Sequence, residues 1–326
     1  MDVLIIKLGA LGDVINTLPL AIMLKDQLAA RIHWLVAPLS YPLLATHAAV
    51  DHPILFDSRQ GASSIVSMLH NLRNWKFDYV LDLQRILKSA LICAAARGNR
   101  KIGFDKKRCK ELTGWLPFER IPASDPQAHM VHQYLEFARY LGIQNGSIEW
   151  RIPAVTPLPA NLPEAYVVLN IGATKPANRW TVEGFSKLAQ MIYQQYRLPS
   201  VLTGGPEDVH MAESIKTKAG EAVHNLAGRT SLMELISLLD ASRVVVTCDT
   251  GPMHLAAALG KKVIALFGPS DHRRTGPFRG HVIRAKIDCA PCNRKNCRNP
   301  LCMAAIPAEE VFRVLSAQIA RNHTYV

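Results

Sequence analysis

Short apolar runs, each followed by a loop and then by an amphipathic stretch, recur along this chain, and that alternation admits few folds. Val3–Lys7 reads as a strand, followed by a glycine-bearing turn and the amphipathic stretch Val14–Leu28. His33–Ala37 reads as a second strand and Tyr79–Leu83 as another, the latter followed by the helical Ser89–Ala96. Strand, loop and helix in this order imply a parallel sheet with helices on both faces. Pro153, Pro157, Pro159 and Pro163 break the pattern and read as an interdomain linker. The alternation then restarts with strand Tyr166–Asn170 and a helix Val182–Gln195, opened by Thr181 as cap with Glu183 in its first turn. Ser200–Thr203, Val244–Thr247 and Val263–Phe267 read as further strands, and Ala308–Arg321 as a terminal helix. The expected fold class is α/β, with Rossmann-like domains over residues 1–155 and 156–326 whose parallel sheets face a central cleft. In such folds ligands bind beyond the carboxyl ends of the strands, so the loops there hold the chemistry.

A chain of 326 residues is long enough for two cores, and 49% hydrophobic with 20% charged residues is a globular composition. No apolar run reaches the roughly 18 residues of a membrane span. Met1-Asp2-Val3-Leu4-Ile5-Ile6-Lys7 lacks the basic start of a signal peptide and reads as a strand. The expected location is the cytoplasm, at most peripheral at the inner face of a membrane. The net charge of +12 calls for an anionic partner. Basic residues gather at Arg97, Arg100, Lys101, Lys106, Lys107, Arg108 and Lys110, and again at Arg273, Arg274, Arg279, Arg284, Lys286, Arg294, Lys295 and Arg298. Solvated loops explain them as well as ligand sites do. A metal-containing nucleic-acid-binding protein would suit the charge. It leaves the glycine loops unexplained, and few aromatics interleave the basic stretches, so no nucleic-acid partner is expected.

The first loop, Gly9-Ala10-Leu11-Gly12-Asp13, departs from G-x-G-x-x-G by placing a carboxylate where a pyrophosphate would sit. Asp13 can cap the following helix. It can also act as a general base on an acceptor hydroxyl. A helix N-terminus favours the ionised carboxylate and so weakens it as a base.

In the second half, Cys248-Asp249-Thr250-Gly251-Pro252-Met253-His254 runs into the helical Leu255-Ala256-Ala257-Ala258. Asp249 and Thr250 can cap that helix, its free amides and Gly251 can approach a phosphate, and His254 lies within reach of an anion. Gly172-Ala173-Thr174-Lys175-Pro176-Ala177-Asn178-Arg179-Trp180 offers a glycine turn, a hydroxyl and two cations to stabilise a departing phosphate. Gly204-Gly205-Pro206-Glu207-Asp208 offers carboxylates for ribose hydroxyls. No D-x-D pair occurs, which argues against a metal-chelated diphosphate. Together these loops suit a sugar nucleotide.

Lys7-Leu8-Gly9-Ala10-Leu11-Gly12-Asp13, Asp82-Leu83-Gln84 with Lys88-Ser89, Gly204-Gly205-Pro206 and Asp249-Thr250-Gly251-Pro252-Met253-His254 together resemble the ADP-heptose:lipopolysaccharide heptosyltransferases, glycosyltransferase family 9. The resemblance spans nearly the whole chain. It implies the two-domain GT-B fold and inverting transfer of heptose from ADP-heptose to a hydroxyl of the lipopolysaccharide inner core or another acidic glycan. No cofactor is implied for catalysis. Asp13 would be the base. Asp249, Thr250, Gly251 and His254 would hold the donor's diphosphate and heptose. Thr174 and Arg179, with Lys175, would contact phosphate, Asp208 the ribose, and Thr230 would lie near the adenine. Gly9, Gly12, Gln84, Lys88 and His129 would lie on the acceptor side. One departure stands out: the family usually has K-R-W where this chain has Asn178-Arg179-Trp180. Either Arg179 or Lys175 takes over that charge, or donor binding is weaker. A same-fold transferase using another sugar nucleotide or a protein acceptor remains the alternative.

Four of the seven cysteines, Cys289, Cys292, Cys297 and Cys302, fall within a short stretch, a spacing that suggests a structural zinc or iron site. Four reduced thiols in a loop are the plainer reading.

Overall fold

A computed structural model describes residues 1–153, 157–159, 161–294, 297–298 and 301–320, and the chain divides into two compact units, Met1–Pro153 and Ala154–Val326. The expected domain boundary at 155/156, Lys295 of the second basic stretch and Arg321 of the terminal helix lie outside the described residues.

The first unit runs β1 (Asp2–Ile6), α1 (Leu11–Leu28), β2 (Arg31–Val36), α2 (Tyr41–Ala45), β3 (His52–Leu55), α3 (Ala62–Arg73), β4 (Phe77–Asp82), α4 (Leu87–Ala95), β5 (Gly98–Gly103), β6 (Glu119–Arg120) and α5 (Met130–Tyr140). The second runs β7 (Val167–Asn170), α6 (Val182–Tyr196), β8 (Ser200–Thr203), α7 (Val209–Ala219), β9 (Val223–Asn225), α8 (Leu232–Ala241), β10 (Val245–Cys248), α9 (Gly251–Ala258), β11 (Val263–Phe267), α10 (His272–Thr275), β12 (His281–Arg284), α11 (Leu301–Ala304) and α12 (Ala308–Ala320).

Each unit builds one six-stranded sheet, ordered β3-β2-β1-β4-β5-β6 in the first and β12-β11-β10-β7-β8-β9 in the second. Every recorded strand pairing is parallel, with Ile5 opposite Trp34 and Leu81, and Val246 opposite Leu169 and Ile264. This is the doubly wound order, written once in each direction. The central strands are apolar without alternation because helices cover both faces. Val3, Leu4, Ile5 and Ile6 are fully buried, as are Val245 and Val246. Each such side chain contributes roughly 1.5–3 kcal/mol on leaving water.

Strands β3, β5, β6, β9 and β12 escape the sequence reading; all but β5 sit at an edge of a sheet, and β5 lies next to one. They are short or polar, and β3 carries Pro53, which an edge strand tolerates because one of its sides needs no amide donors. The first helix starts at Leu11, earlier than the amphipathic run suggests, so Gly12 and Asp13 lie in its first turn. Thr181 caps α6 as expected, with its hydroxyl accepting the Gly184 amide at 2.9 Å.

Candidate active site

In both sheets the strand order reverses at the first strand, between β1 and β4 and between β7 and β10. The crevice beyond the carboxyl ends of those strands is where a doubly wound sheet takes its ligand. All four loops singled out by motif at these strands, after β1, β4, β7 and β10, lie at these two places.

In the first unit, Lys7 follows β1 and is 2% exposed. Its ammonium lies 3.0 Å from Asp13 Oδ2. Tyr134, brought over by α5, donates its hydroxyl to Asp13 Oδ1 at 3.2 Å, and the Lys7 ammonium lies 5.3 Å from the centre of its ring. Helix α1 has Ala10 at its N-cap and no side-chain capping bond, so Asp13 is not the cap that the sequence also allows. Its carboxylate instead sits between a buried cation and a phenol. Burial pulls Lys7 below the usual lysine range while Asp13 resists that shift. Neither Lys7 nor Tyr134 is assigned a role by sequence reasoning. Lys7 ends the first strand inside the motif, whereas nothing local marks Tyr134 as a neighbour of Asp13.

The other residues expected on the acceptor side divide. Gln84 Oε1 accepts the Leu8 amide at 3.1 Å and so ties the loop after β4 to the loop after β1. Asp82 is 4% exposed, and its Oδ1 accepts the Gln84 amide at 3.1 Å. Burial pushes the Asp82 carboxyl up against those hydrogen bonds. A Cβ on Gly9 would meet nothing within 4 Å, so open space fronts the loop there. Gly12 is buried in the first turn of α1. Lys88 is exposed, its ammonium 6.0 Å from the Phe56 ring centre. His129 is the N-cap of α5, and its Nδ1 accepts the Val131 amide at 3.2 Å.

In the second unit, Asn170 closes β7 and laces three strand ends. Its Nδ2 donates to Thr247 Oγ1 at 3.2 Å, and its Oδ1 accepts from Thr203 Oγ1 at 3.2 Å. Beyond it, Asn178 is 2% exposed. Asn178 Nδ2 donates to Asp249 Oδ2 and to Ser270 Oγ, each at 3.1 Å, joining the loops after β7, β10 and β11. The residue that replaces the family's usual lysine is thus a buried amide fixing an acidic side chain. Thr250 holds the N-cap position of α9 without a side-chain capping bond, which corrects the capping role expected of its hydroxyl, and Asp249 engages Asn178. Gly251 opens α9 and His254 lies in its first turns, 9% exposed.

Arg179 and Asp208, expected at phosphate and ribose, face one another with Nη2 2.8 Å from Oδ1. Asp208 is 1% exposed and its Oδ2 accepts the Gly205 amide at 2.8 Å. Burial nevertheless pushes its carboxyl up. A Cβ on Gly172 would stand 2.6 Å from Asp208 Oδ2, and one on Gly204 2.9 Å from its Cβ. These glycines make room for Asp208, which orders the turn and sets the guanidinium. Glu207 is the exposed acid of that turn. Thr174 is exposed and Lys175 half-buried in the loop after β7, while Thr230 is half-buried just ahead of α8.

The four cysteines expected at a metal site differ in exposure. Cys289 and Cys292 are exposed, Cys297 is half-buried and Cys302 is buried. Cys302 lies on α11 in the core, its Sγ 2.8 Å from where a Cβ on Gly268 would stand. Burial pushes its thiol up, and Cys289 and Cys292 push the same way, so these thiols are neighbours. Among the described residues, however, no group of three or more His, Cys, Asp or Glu is arranged to hold a metal ion. Residues 295–296 and 299–300 of this stretch lie outside the described residues.

Known proteins share the fold that carries these residues. The model of glycosyltransferase family 9 (heptosyltransferase) matches residues 65–303. Lipopolysaccharide heptosyltransferase 2 of Salmonella typhimurium strain LT2 is 29% identical over 311 residues, covering 87% of this chain and 88% of that protein. The structure of E. coli heptosyltransferase WaaC with ADP is 26% identical with a TM-score of 0.80, covering 98% of this chain and 100% of that one. The same E. coli enzyme with ADP-2-deoxy-2-fluoro heptose gives 25% identity and a TM-score of 0.78, over 97% and 99% of the two chains. The two parallel six-stranded sheets are those of the GT-B heptosyltransferases, and the chain belongs to glycosyltransferase family 9, the heptosyltransferases.

Proposed function

We propose that this glycosyltransferase moves a heptose from ADP-heptose to a hydroxyl of the lipopolysaccharide inner core, with inversion at the anomeric carbon. One observation carries the reading. The loops after β1, β4, β7 and β10 lie at the switch point of each sheet, with an anchored carboxylate, Asp13, in one unit and the Arg179, Asp249 and α9 group in the other. The names of the relatives support the heptose and the lipopolysaccharide, and the two E. coli structures support the adenosine diphosphate.

Asp13 takes the proton of the acceptor hydroxyl as that oxygen attacks the anomeric carbon. The bond from that carbon to the diphosphate breaks, and ADP leaves with the electron pair. Negative charge then grows on the diphosphate. The free amides at the start of α9, Thr174, Lys175 and Arg179 stabilise it. Asp249 and His254 hold the donor, and Thr230 lies near its base. A single displacement by the acceptor oxygen inverts the centre. Every role falls to a side chain or an amide of the chain itself.

A thermal-shift series with sugar nucleotides tests the donor. A ligand present at a hundredfold its Kd stabilises the folded state by about 2.7 kcal/mol. ADP-heptose should raise the melting temperature more than UDP- or GDP-sugars do. A larger shift with a non-adenine sugar nucleotide selects the reading as a transferase of another donor.

A further inference from the structure

The link between β5 and β6 is anchored firmly and yet offers apolar side chains to water. Its base is fixed by Arg108, 6% exposed, which pairs with Asp105 and places Nη2 2.6 Å from Glu136 Oε2. Thr113, 2% exposed, donates to Lys110 O at 2.8 Å, and Arg120 Nη2 donates to Thr113 O at 2.6 Å. At the tip, Leu112 is 79% exposed and Trp115 83%. Two consecutive residues there, Glu111 (φ 49°) and Leu112 (φ 62°), take the left-handed conformation that side chains disfavour. The fold holds this turn in a costly conformation, and the turn turns a leucine outward.

Cations surround these two side chains. Lys106, Lys107 and Lys110 are exposed, and the Lys106 ammonium lies 6.0 Å from the Trp115 ring centre. Lys106, Cys109, Lys110, Leu112, Gly114 and Trp115 share the lining of a recess of about 310 Å³. The Leu87 amide donates to Glu111 Oε2 at 3.0 Å, which ties the start of α4 to the loop. Leu87 and Leu91, one turn apart on α4, are 46% and 58% exposed. Because the sheet is parallel, this loop leaves the same edge as the one carrying Asp13.

Exposed tryptophan and leucine flanked by lysines match the interface of a bilayer with anionic headgroups. Indole rings settle at headgroup depth, aliphatic side chains enter the acyl boundary, and lysines near the surface attract anionic lipid. A nucleic-acid face would bring stacked aromatics along a groove, and a surface for soluble anions would need no exposed Leu112. We propose that residues 105–116 form a membrane-docking loop, with Leu112 and Trp115 inserted into an anionic bilayer surface and Lys106, Lys107 and Lys110 against its headgroups. The loop would hold the edge of the sheet that carries Asp13 close to lipid. The assignment goes beyond the transferase reading, and its vesicle-binding test needs neither donor nor acceptor.

The experiment is sedimentation of the full chain with sucrose-loaded vesicles of phosphatidylglycerol and phosphatidylethanolamine, beside vesicles of phosphatidylcholine alone. The protein should follow the anionic vesicles, less so as salt rises. A Leu112→Ser/Trp115→Ser double variant should lower binding about tenfold or more at unchanged melting temperature. A Lys106→Gln/Lys107→Gln/Lys110→Gln variant should lose most of the salt dependence. Trp115→Phe should lose the quenching of tryptophan fluorescence by brominated lipid. Equal vesicle binding by wild type and the double variant overturns the proposal. So does a double variant whose kcat/KM on a water-soluble core oligosaccharide falls in step with its vesicle binding, which makes the patch an acceptor subsite. A concentration-dependent dimer that the double variant abolishes also overturns it, in favour of a face for a second copy of the chain.

Discussion

The Lys7 ammonium, 2% exposed, lies 3.0 Å from the Asp13 carboxylate at the end of the first strand. Burial of that charge works against stability, as its lowered pKa shows, and Asp13 offsets only part of the cost. A chain selected for stability alone would place an apolar side chain there. The cation is explained by what it does to Asp13. It favours the ionised form and, with Tyr134, fixes both oxygens.

Lys7→Met should therefore lower kcat by at least about tenfold while leaving the melting temperature equal or higher. Losing the neighbouring cation disfavours the ionised carboxylate, so the acid limb of the pH–rate profile should move to higher pH. Lys7→Arg should recover part of both effects. The pH profiles and thermal unfolding of both variants beside wild type check this; loss of stability with an unmoved acid limb would make Lys7 a structural residue only.

Replacing Asp13 by Ala removes the proposed base. Turnover should fall about a hundredfold or more, the scale of a lost general base, with ADP affinity almost unchanged. Tyr134→Phe should have a smaller effect in the same direction. Turnover close to wild type in Asp13→Ala would reduce Asp13 to a partner of Lys7.

On the donor side, Asp249→Ala and His254→Ala should chiefly weaken nucleotide-sugar binding. Asn178→Ala should do so through Asp249, whose carboxylate it holds at 3.1 Å. In a double-mutant cycle, Asn178→Ala and Asp249→Ala should couple by about 1 kcal/mol, the scale of one hydrogen bond. Calorimetric titration with ADP measures each term, and additive losses would separate the two residues.

The first unit should also lose stability in mild acid. His47, 2% exposed, donates from Nε2 to Trp150 O at 2.8 Å and accepts the Ala49 amide on Nδ1 at 3.1 Å, so it is held neutral. Burial depresses its pKa below 6.5, and burial depresses that of His33 likewise. The unfolded state then binds the proton more readily. Stability is full above about pH 6.5 and falls below it by up to about 1.4 kcal/mol per pH unit for each histidine, until the folded pKa is reached. His47→Gln should remove one proton's worth of that slope in urea unfolding across this range. An unchanged slope would show that His47 is protonated in the folded state.

Much of this was legible in the sequence because central strands of a covered parallel sheet are continuous apolar runs, as Val3–Ile6 and Val263–Phe267 are. The edge strands β9 and β12 lack that signature, since His224, His281 and Arg284 interrupt their apolar residues. Helix α8 had a readable start, the capping box of Ser231 and Glu234, which marks it better than its periodicity does. The candidate loops were found because glycine turns with polar residues follow strands. What these residues touch was not. Asp208 looks like a free carboxylate in sequence and folds against Arg179 and the Gly205 amide. Tyr134 meets Asp13 across 121 positions of chain, a separation that no local pattern reports. The cysteine spacing suggested a ligand set, and it did not report that helix α11 buries Cys302 while Cys289 and Cys292 stay exposed.

The most direct test of the central claim is a transfer assay with ADP-heptose and a heptose-deficient lipopolysaccharide core, read by mass spectrometry of the acceptor and by released ADP. The account predicts one heptose added per acceptor with ADP released in equal amount, and almost none of either with Asp13→Ala. Transfer from a different sugar nucleotide in preference to ADP-heptose, or equal product from the Asp13→Ala variant, would contradict it.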